Sequence, residues 1–266
     1  MKIATWNVNS IRTRQDIVRD WLAGSEVDVL CLQETKVVDP DFPRDPFEKL
    51  GYHVYVSGQK AYNGVALFSR QPAENLSVGF ADVLGAPVVA DLDEQKRAIA
   101  ATFNGVRVVN LYVPNGGDYD SDKYHYKLRW LGMLRQYVEQ TLAAGDRDIC
   151  MCGDFNIAPD DRDIHTPKTP ADKVVGTMPA EREALAAVLN FGLADAFRKF
   201  ESAGEIFSWW DYRAASFRRN RGWRIDHLYL TPELYEAATS CAIDVEPRKL
   251  PKPSDHTPVT VEIDLG

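Results

Sequence analysis

Short apolar runs that end abruptly in polar residues are the feature of this sequence that most restricts its fold. Each run has four to eight residues and is mostly β-branched or otherwise apolar, which is typical of strands buried in a sheet. The pattern predicts strands over residues 3–6, 27–32, 106–113, 149–152, 224–230 and 259–263.

Three helical patterns lie between the predicted strands. The first begins after Ser10, which can serve as its N-cap, and its apolar stripe closes at Gly24. The second carries the apolar stripe of residues 128–142 and ends near Gly145, and the third begins at Pro179. Helices of these lengths can cover the faces of a sheet.

A hairpin is predicted where residues 54–57 and 65–69 flank the turn pair Asn63-Gly64. Mixed strands and helices with hairpin neighbours indicate layered sheets covered by helices, an α/β (α+β) arrangement. We see no domain linker, so residues 1–266 are expected to form one domain. The polar, proline-bearing stretch 157–179 is long enough to predict a functional loop.

Composition and charge exclude several classes of protein. With 45% hydrophobic and 26% charged residues, the chain is neither disordered, collagen-like nor a coiled coil. No window approaches the length of a membrane span, and the N-terminus has no apolar signal segment, so we expect a cytoplasmic protein without membrane contact. A net charge of −8 argues against nonspecific coating of nucleic acid but leaves one local basic face open.

The cysteines fit a reducing compartment. Cys31, Cys150 and Cys152 lie within apolar runs, and Cys241 stands alone. Residues two apart on a strand face the same side, so Cys150 and Cys152 predict two buried thiols rather than a zinc site.

Eight polar side chains stand at or near the ends of apolar runs. Taken singly, each is more readily explained as a turn former or a solvated cap. Taken together, they can be gathered by a sheet edge into one cleft. They are Asn7, Glu34, Tyr112, Asp154, Asn156, Asp226, Asp255 and His256.

The chemistry that suits this set is phosphate chemistry. Oxygen ligands without a cluster of Cys or His suit Mg²⁺, with Mn²⁺ as a substitute, and Glu34 with Asn7 can hold such an ion by few protein contacts. Asp154 can orient or deprotonate the attacking water, and Asn156 can hold that water or the phosphate. No serine or cysteine nucleophile is needed.

An acid–imidazole pair completes this candidate set. In such a pair the Asp226 carboxylate keeps the His256 ring charged and aimed at a phosphoryl oxygen. The other histidines have no spacing that makes a metal cluster and are interpreted as surface or satisfied core residues.

A local basic segment lies between Asp211 and Asp226. It contains no acidic residue and interleaves arginines with Tyr212, Phe217 and Trp223 after the pair Trp209-Trp210. We favour a DNA-binding face over the alternative, a solvated loop with core aromatic residues, because an acidic protein needs a local positive face to approach DNA. The arginines are Arg213, Arg218, Arg219, Arg221 and Arg224.

Five blocks of sequence occur in a particular order and spacing, at residues 6–12 (WNVNSIR), 32–36 (LQETK), 153–156 (GDFN), 222–226 (GWRID) and 254–258 (SDHTP). In these blocks the chain resembles the exonuclease III class of apurinic/apyrimidinic endonucleases, over residues 3–263. The resemblance implies a four-layered α-β-β-α sandwich, with two mixed sheets packed face to face, flanked by helices, and a cleft at one end.

The resemblance also implies roles for individual residues. Glu34 would be the principal metal ligand, and Tyr112 would lie next to the scissile phosphate. The implied metal site comprises Asn7, Glu34, Asp154, Asn156, Asp255 and His256. The implied catalytic set is Tyr112, Asp154, Asn156, Asp226 and His256. The implied DNA contacts are Arg12, Lys36, Tyr62, Asn115, Trp209, Trp223 and Ile225, and the basic segment adds Arg221.

Two departures from that class concern the metal site and the DNA grip. Asn9 stands where the animal enzymes carry an acid and the bacterial branch an Asn, which bears on a second metal position. In residues 160–179 the basic, Asn-containing stretch of the animal enzymes is not recognisable.

The function that follows is a magnesium-dependent, monomeric DNA repair phosphodiesterase. It would cut duplex DNA 5′ to abasic sites, leave a 3′-hydroxyl, and trim 3′ ends as a 3′-to-5′ exonuclease. One alternative is a phosphoesterase of the same fold that acts on RNA or phosphoinositides. A second, from another class, is a DNA-binding module without catalysis.

Overall fold

Two six-stranded mixed sheets, flanked by helices, make up the computed structural model, which describes residues 1–165 and 174–266. The strands are β1 Lys2–Asn7, β2 Val29–Gln33, β3 His53–Ser57, β4 Val65–Ser69, β5 Glu74–Val78, β6 Ala98–Phe103, β7 Val106–Tyr112, β8 Ile149–Asp154, β9 Ala194–Asp195, β10 Asp226–Leu230, β11 Ala238–Ile243 and β12 Val259–Ile263. The α-helices are α1 Ile11–Ser25, α2 Asp45–Glu48, α3 Ala81–Leu84, α4 Ala86–Val89, α5 Asp122–Ala143, α6 Pro179–Leu189, α7 Ala196–Phe200 and α8 Pro232–Ala237.

The strand order brings the polar strand ends to one end of the two sheets. The first sheet has the order β11-β12-β1-β2-β4-β3 and the second β5-β6-β7-β8-β10-β9. The parallel strands β1 and β2 place Asn7 opposite Gln33. The parallel strands β7 and β8 place Tyr112 opposite Asp154, and the antiparallel strand β10 begins there with Asp226.

Three apolar layers hold the sandwich together. The middle layer lies between the sheets and combines residues such as Val29 and Val261 of the first sheet with Val108 and Leu228 of the second. One outer layer packs α1 on the first sheet. The other packs α5 and α6 on the second sheet. The four-layered arrangement is therefore confirmed, and burial of both sheet faces explains why the strands read as continuous apolar runs.

Most predicted elements are confirmed, with ends that differ by a few residues. Four strands were not predicted: β5, β6, β9 and β11. For two of them the reason is local, because β5 is largely exposed and β6 (AIAATF) is rich in alanine, a weak strand former. Asn63 and Gly64 both have positive φ, 48° and 88°, but they close a longer connection over residues 58–64.

The first helix begins where it was predicted to begin, but its C-terminal end needs correction. Ser10 occupies the N-cap position of α1, and its carbonyl accepts from the Arg14 N–H, but its side chain makes no capping hydrogen bond to any described residue. Gly24 does not close the helix, because Glu26 takes the left-handed conformation, with φ of 52°, that terminates it. Helix α5 does end just before Gly145, whose φ is 108°.

Several other expectations can be compared with the structure. All four cysteines are buried and unbridged among the described residues, which confirms the thiol interpretation. Within residues 1–165 and 174–266, none of the helices combines the length and apolar character needed to cross a bilayer. The predicted functional loop 157–179 includes residues 166–173, which lie outside the described residues.

Candidate active site

A cavity of about 280 Å³ opens at the end of the sandwich where the strand ends meet. Most of the residues expected at the site line it, and their side chains come from both sheets and the loops that follow them. The lining residues are Glu34, Tyr112, Asn115, Asp154, Asn156, Val175, Trp209, Trp223, Ile225, Asp255 and His256.

Asp154, the last residue of β8, lies at the centre of the hydrogen bonds in this cavity. Its carboxylate accepts from the Asn7 side-chain amide at 2.9 Å and from the backbone N–H of Asn156 at 2.9 Å. Burial raises the pKa of Asp154 to about 7, although the charge of His256 opposes the shift. A carboxyl group with a pKa near neutrality is suited to accept a proton from water.

Glu34 joins this centre from the end of β2. Asn7 donates to Glu34 Oε1 at 2.8 Å through the same side-chain amide that it directs at Asp154. Ligand atoms of Glu34, Asp154 and His256 lie within 4.8 Å of one another, a spacing that one metal ion can bridge. Residues from positions 7 to 256 therefore converge on one point.

Lys36 lies inside this acidic group. Its ammonium lies 2.8 Å from Glu34 Oε2 and donates to the Asn9 side-chain oxygen at 2.6 Å. Asn9 in turn donates to Asp255 Oδ1 at 3.0 Å, and Trp209 Nε1 donates to Asp255 Oδ2 at 3.0 Å. The ammonium of Lys36, a predicted DNA contact, thus lies on the Glu34 and Asn9 side of the site. Asp255 is held between Asn9 and Trp209.

The pair of His256 and Asp226 has the expected geometry. His256 Nδ1 lies 2.9 Å from Asp226 Oδ2, and Ser208 Oγ donates to the same carboxylate oxygen at 2.6 Å. Burial alone would lower the pKa of His256, but the carboxylates of Asp226 and Asp154 raise it to about 10. A charged imidazole has no free lone pair for a metal, so this geometry favours contact with phosphate over metal ligation.

Tyr112 has a partner that the sequence did not reveal. The Arg97 guanidinium lies 4.6 Å from the centre of the Tyr112 ring and donates to the Tyr112 carbonyl at 3.2 Å. Burial, together with Glu34 and Asp154, raises the pKa of the Tyr112 phenol well above its ordinary value. The phenol therefore keeps its proton. Arg97 could only have been found by predicting β6, which begins at the next residue.

Three of the residues that the resemblance implied as DNA contacts, Trp209, Trp223 and Ile225, form an apolar wall of the cavity. The rings of Trp209 and Trp223 meet edge to face with centroids 5.9 Å apart, and both pack against the apolar cluster that contains Ile225. The Trp209 ring lies 6.5 Å from that of His256, so the apolar wall borders the polar centre. A pocket with one apolar side and one charged side can accept a sugar or ring next to a phosphate.

The basic segment divides into exposed and buried parts. Arg12 and four arginines of the segment, Arg213, Arg218, Arg219 and Arg221, are exposed, and Tyr62 is 70% exposed. The prediction for Arg224 is wrong: its side chain is 1% exposed and binds Asp163 at 2.7 Å and Asp195 at 2.7 Å. It cannot reach DNA, because two carboxylates hold it in the interior.

His227 belongs to the same buried network as Arg224. Its Nδ1 lies 3.0 Å from Arg224 Nη1 and its Nε2 lies 3.0 Å from the Ile157 carbonyl. Both contacts fit a neutral ring that accepts from Arg224 and donates to the carbonyl. Burial and the charge of Arg224 lower the pKa of His227 to about 4.

This depressed pKa predicts a loss of stability in acid. In the unfolded chain His227 is protonated below about pH 6.5, whereas in the folded protein it stays neutral down to about pH 4. The free energy of unfolding therefore falls as the pH falls through that window. At pH 5 protonation of His227 in the unfolded chain should lower the free energy of unfolding by about 2 kcal/mol. Urea unfolding at pH 7 and pH 5 should show a shallower pH dependence in His227→Asn than in the unmodified protein. His125→Gln, a change at an exposed histidine, should keep the original dependence.

The chain resembles known nucleases in sequence and in structure. The profile of the Endonuclease/Exonuclease/phosphatase family matches residues 4–256. Exodeoxyribonuclease III of Haemophilus influenzae is 35% identical over 273 residues, covering 98% of this chain and 99% of that protein. An AP endonuclease from Archaeoglobus fulgidus has a TM-score of 0.92 at 39% identity, with both chains covered fully. The 3′ phosphatase NExo (D146N) from Neisseria, solved with a product DNA hairpin, has a TM-score of 0.93 at 40% identity, with 99% of each chain covered.

Proposed function

The chain belongs to the endonuclease/exonuclease/phosphatase family and is a hydrolase of the nuclease type, and we propose that it is a magnesium-dependent DNA repair phosphodiesterase. It would cleave duplex DNA 5′ to abasic sites and trim 3′ ends, with residues 1–266 acting as one catalytic domain. The observation that carries the proposal is the convergence of the Glu34 and Asp154 carboxylates, with the His256 ring within 4.8 Å of both, beside a wall of two tryptophans. Relatives that are named as an exonuclease and as an AP endonuclease support the two activities.

The residues of the cavity fit a divalent metal ion with a preference for oxygen. Carboxylates of Glu34, Asp154 and Asp255 and the amides of Asn7 and Asn156 lie in or next to it, whereas the four cysteines are buried elsewhere. Such donors suit Mg²⁺, and Mn²⁺ could replace it. Glu34 and its neighbours would hold the ion, which when bound supplies positive charge to a phosphoryl oxygen.

Asp154 would act on the attacking water. Its carboxylate is fixed by Asn7 and by the backbone of Asn156, and its pKa of about 7 lets it accept a proton under physiological conditions. The Asn156 side chain also donates to Asp154 Oδ2 at 3.2 Å and lies in the cavity, where it can orient water or phosphate.

His256 and Tyr112 would stabilise the charge that develops on the phosphate. The Asp226 carboxylate fixes His256 as an imidazolium, and the Tyr112 phenol keeps its proton, so both can donate hydrogen bonds to phosphoryl oxygens. Donors that are held in place before the reaction lower the barrier without reorganising during it.

The substrate pocket would lie against Trp209, Trp223 and Ile225. A cavity of about 280 Å³ with an apolar wall suits a sugar that has lost its base. The exposed arginines next to this wall would hold the DNA phosphates on either side of the abasic sugar. Arg12, Tyr62 and Asn115 would contact the DNA backbone. Lys36 is the exception, since its ammonium already binds Glu34 and Asn9.

The experiment that tests this function uses a duplex with a single abasic analogue. With magnesium we expect one nick 5′ to the analogue and a 3′-hydroxyl product, and with excess chelator an intact duplex. An intact duplex in magnesium would contradict the enzyme assignment, and nicking in chelator would contradict the metal requirement. RNA of the same sequence and a phosphoinositide serve as control substrates for the alternative activities, and we expect little turnover of either.

Arg221 offers a separate test of the DNA-binding face. Arg221→Ala should weaken binding of the abasic duplex and reduce the slope of log affinity against log salt by about 1, because one phosphate contact is lost. Arg135→Ala, which removes an exposed arginine on α5, is the matched control and should keep the slope. An unchanged slope in Arg221→Ala would remove Arg221 from the interface.

A further inference from the structure

A fully buried ion pair lies behind the cavity, outside the residues that line it. Lys127 of α5 and Glu181 of α6 are both 0% exposed, and Lys127 Nζ lies 2.5 Å from Glu181 Oε1. Removing two charges from water is costly, and an apolar pair of similar size is often as stable. Burial of this pair therefore calls for a role that an apolar pair could not perform.

The hydrogen bonds of Lys127 point to that role. Its ammonium donates to the backbone carbonyl of Asn156 at 2.8 Å and to that of Asn115 at 3.3 Å. These two asparagines both line the cavity, and the Asn115 side-chain amide donates to Asn156 Oδ1 at 3.1 Å. One ammonium thus links the two loops that carry them.

Glu181 extends the same contacts to a third segment. Its Oε2 accepts from the backbone N–H of Gly176 at 2.6 Å and of Met178 at 3.1 Å. Gly176 has a φ of +96°, and a Cβ there would lie 2.8 Å from the Trp223 ring and 3.1 Å from the Asn156 carbonyl oxygen. The segment is therefore packed directly against the pocket wall and the Asn156 loop.

We propose that Lys127 is a positioning residue for the reaction, which fixes the backbone of Asn115 and Asn156 so that their side chains face the substrate phosphate and the attacking water. Glu181 holds the Lys127 ammonium in place and ties the pocket wall to it. The Asn156 backbone depends most on this support, because its φ of 49° lies in the left-handed region, and its N–H in turn fixes the Asp154 carboxylate. The catalytic part of this inference rests on the proposed function.

Lys127→Met is the first test. We expect kcat on the abasic duplex to fall by about 100-fold, because small misplacements of catalytic groups have effects of that size. KM should change by less than about threefold, because the arginines and tryptophans that bind DNA are untouched. Leu134→Ala, which removes a buried side chain from the outer core on the same helix, is the control for general destabilisation and should keep the original kcat.

The double variant Lys127→Met with Glu181→Gln separates positioning from stability. The amide oxygen introduced by Glu181→Gln keeps an acceptor for Gly176 and Met178 and leaves no unpaired buried charge, so the melting temperature should rise above that of Lys127→Met alone. We expect kcat to remain low. Recovery of kcat together with stability would overturn the proposal, because the pair would then be only structural.

A readout without DNA tests the inference independently of the proposed function. The side-chain amide resonances of Asn115 and Asn156 in ¹⁵N-labelled protein should shift or broaden in both Lys127 variants and stay in place in Leu134→Ala. Unchanged resonances in Lys127→Met would overturn the positioning role. Failure of the unmodified protein to cleave the abasic duplex would instead contradict the proposed function alone.

Discussion

Replacing Asp154 by Asn will abolish strand cleavage while leaving binding of the abasic duplex largely intact. Asn has the same shape but cannot accept a proton from water, and loss of a general base costs about 10²–10⁴-fold in rate. The amide oxygen can still accept from the side chains of Asn7 and Asn156, and only the acceptor for the Asn156 backbone N–H is lost, so the cavity should keep most of its form. The measurement is single-turnover cleavage beside binding affinity in the presence of magnesium.

Two further results decide what the Asp154 experiment means. Asp93→Asn is the matched control, because the Asp93 carboxylate accepts backbone N–H groups of Phe80 and Ala81 outside the cavity and should affect folding alone. The effect of Asp154→Asn should also be larger at pH 8 than in acid, since a protonated Asp154 cannot act as a base, and a bound cation would move the midpoint of that loss below the pKa of about 7 that burial alone gives. Parallel loss of binding and cleavage would contradict the assigned role.

Replacing Glu34 by Gln will raise the magnesium concentration needed for half-maximal cleavage. Loss of a partner outside the coordination sphere alone costs about 10–100-fold in metal affinity, so loss of a ligand charge should cost about 100-fold or more. Gln keeps an oxygen that can accept from Asn7, so the hydrogen bond between the ends of β1 and β2 should survive. Magnesium titration of activity gives the midpoint, and calorimetry with Mn²⁺ reports binding without DNA.

The control for Glu34 is Glu48→Gln, a change at an exposed acid on α2. We expect its metal midpoint to match that of the unmodified protein. If Glu34→Gln also left the midpoint unchanged, Glu34 would not be a metal ligand. Complete inactivity at every metal concentration, with Mn²⁺ affinity unaltered in calorimetry, would likewise contradict the assignment.

The buried polar residues show why neighbouring positions in one motif can have different roles. Arg221 and Arg224 lie three residues apart in a stretch without acids, yet Arg221 is exposed and Arg224 is enclosed by Asp163 and Asp195. Residue type and local pattern are the same for both. Only the segments that pack on Arg224, from positions 163 and 195, distinguish a buried structural ion pair from an exposed side chain that is free to contact DNA.

The sequence by itself determined the strands of both sheets in large part and the set of polar residues at their ends. Apolar runs of strand length indicate strands buried on two faces, and turn-forming residues indicate where the chain leaves the sheet. Both patterns are local in the sequence and can therefore be recognised without the structure. Two of the missed strands, β5 and β6, are ones in which this local signal is weak.

Only the tertiary structure decided the contacts and the electrostatics of the candidate site. The raised pKa values of Asp154 and His256, the Arg97 contact on Tyr112, the placement of Lys36 on Glu34 and the Lys127 pair all depend on distances between different parts of the chain. Desolvation depends on burial, and Coulomb interactions depend on the distance between charges. Neither burial nor distance can be read from the order of residues, because both follow from the folded arrangement.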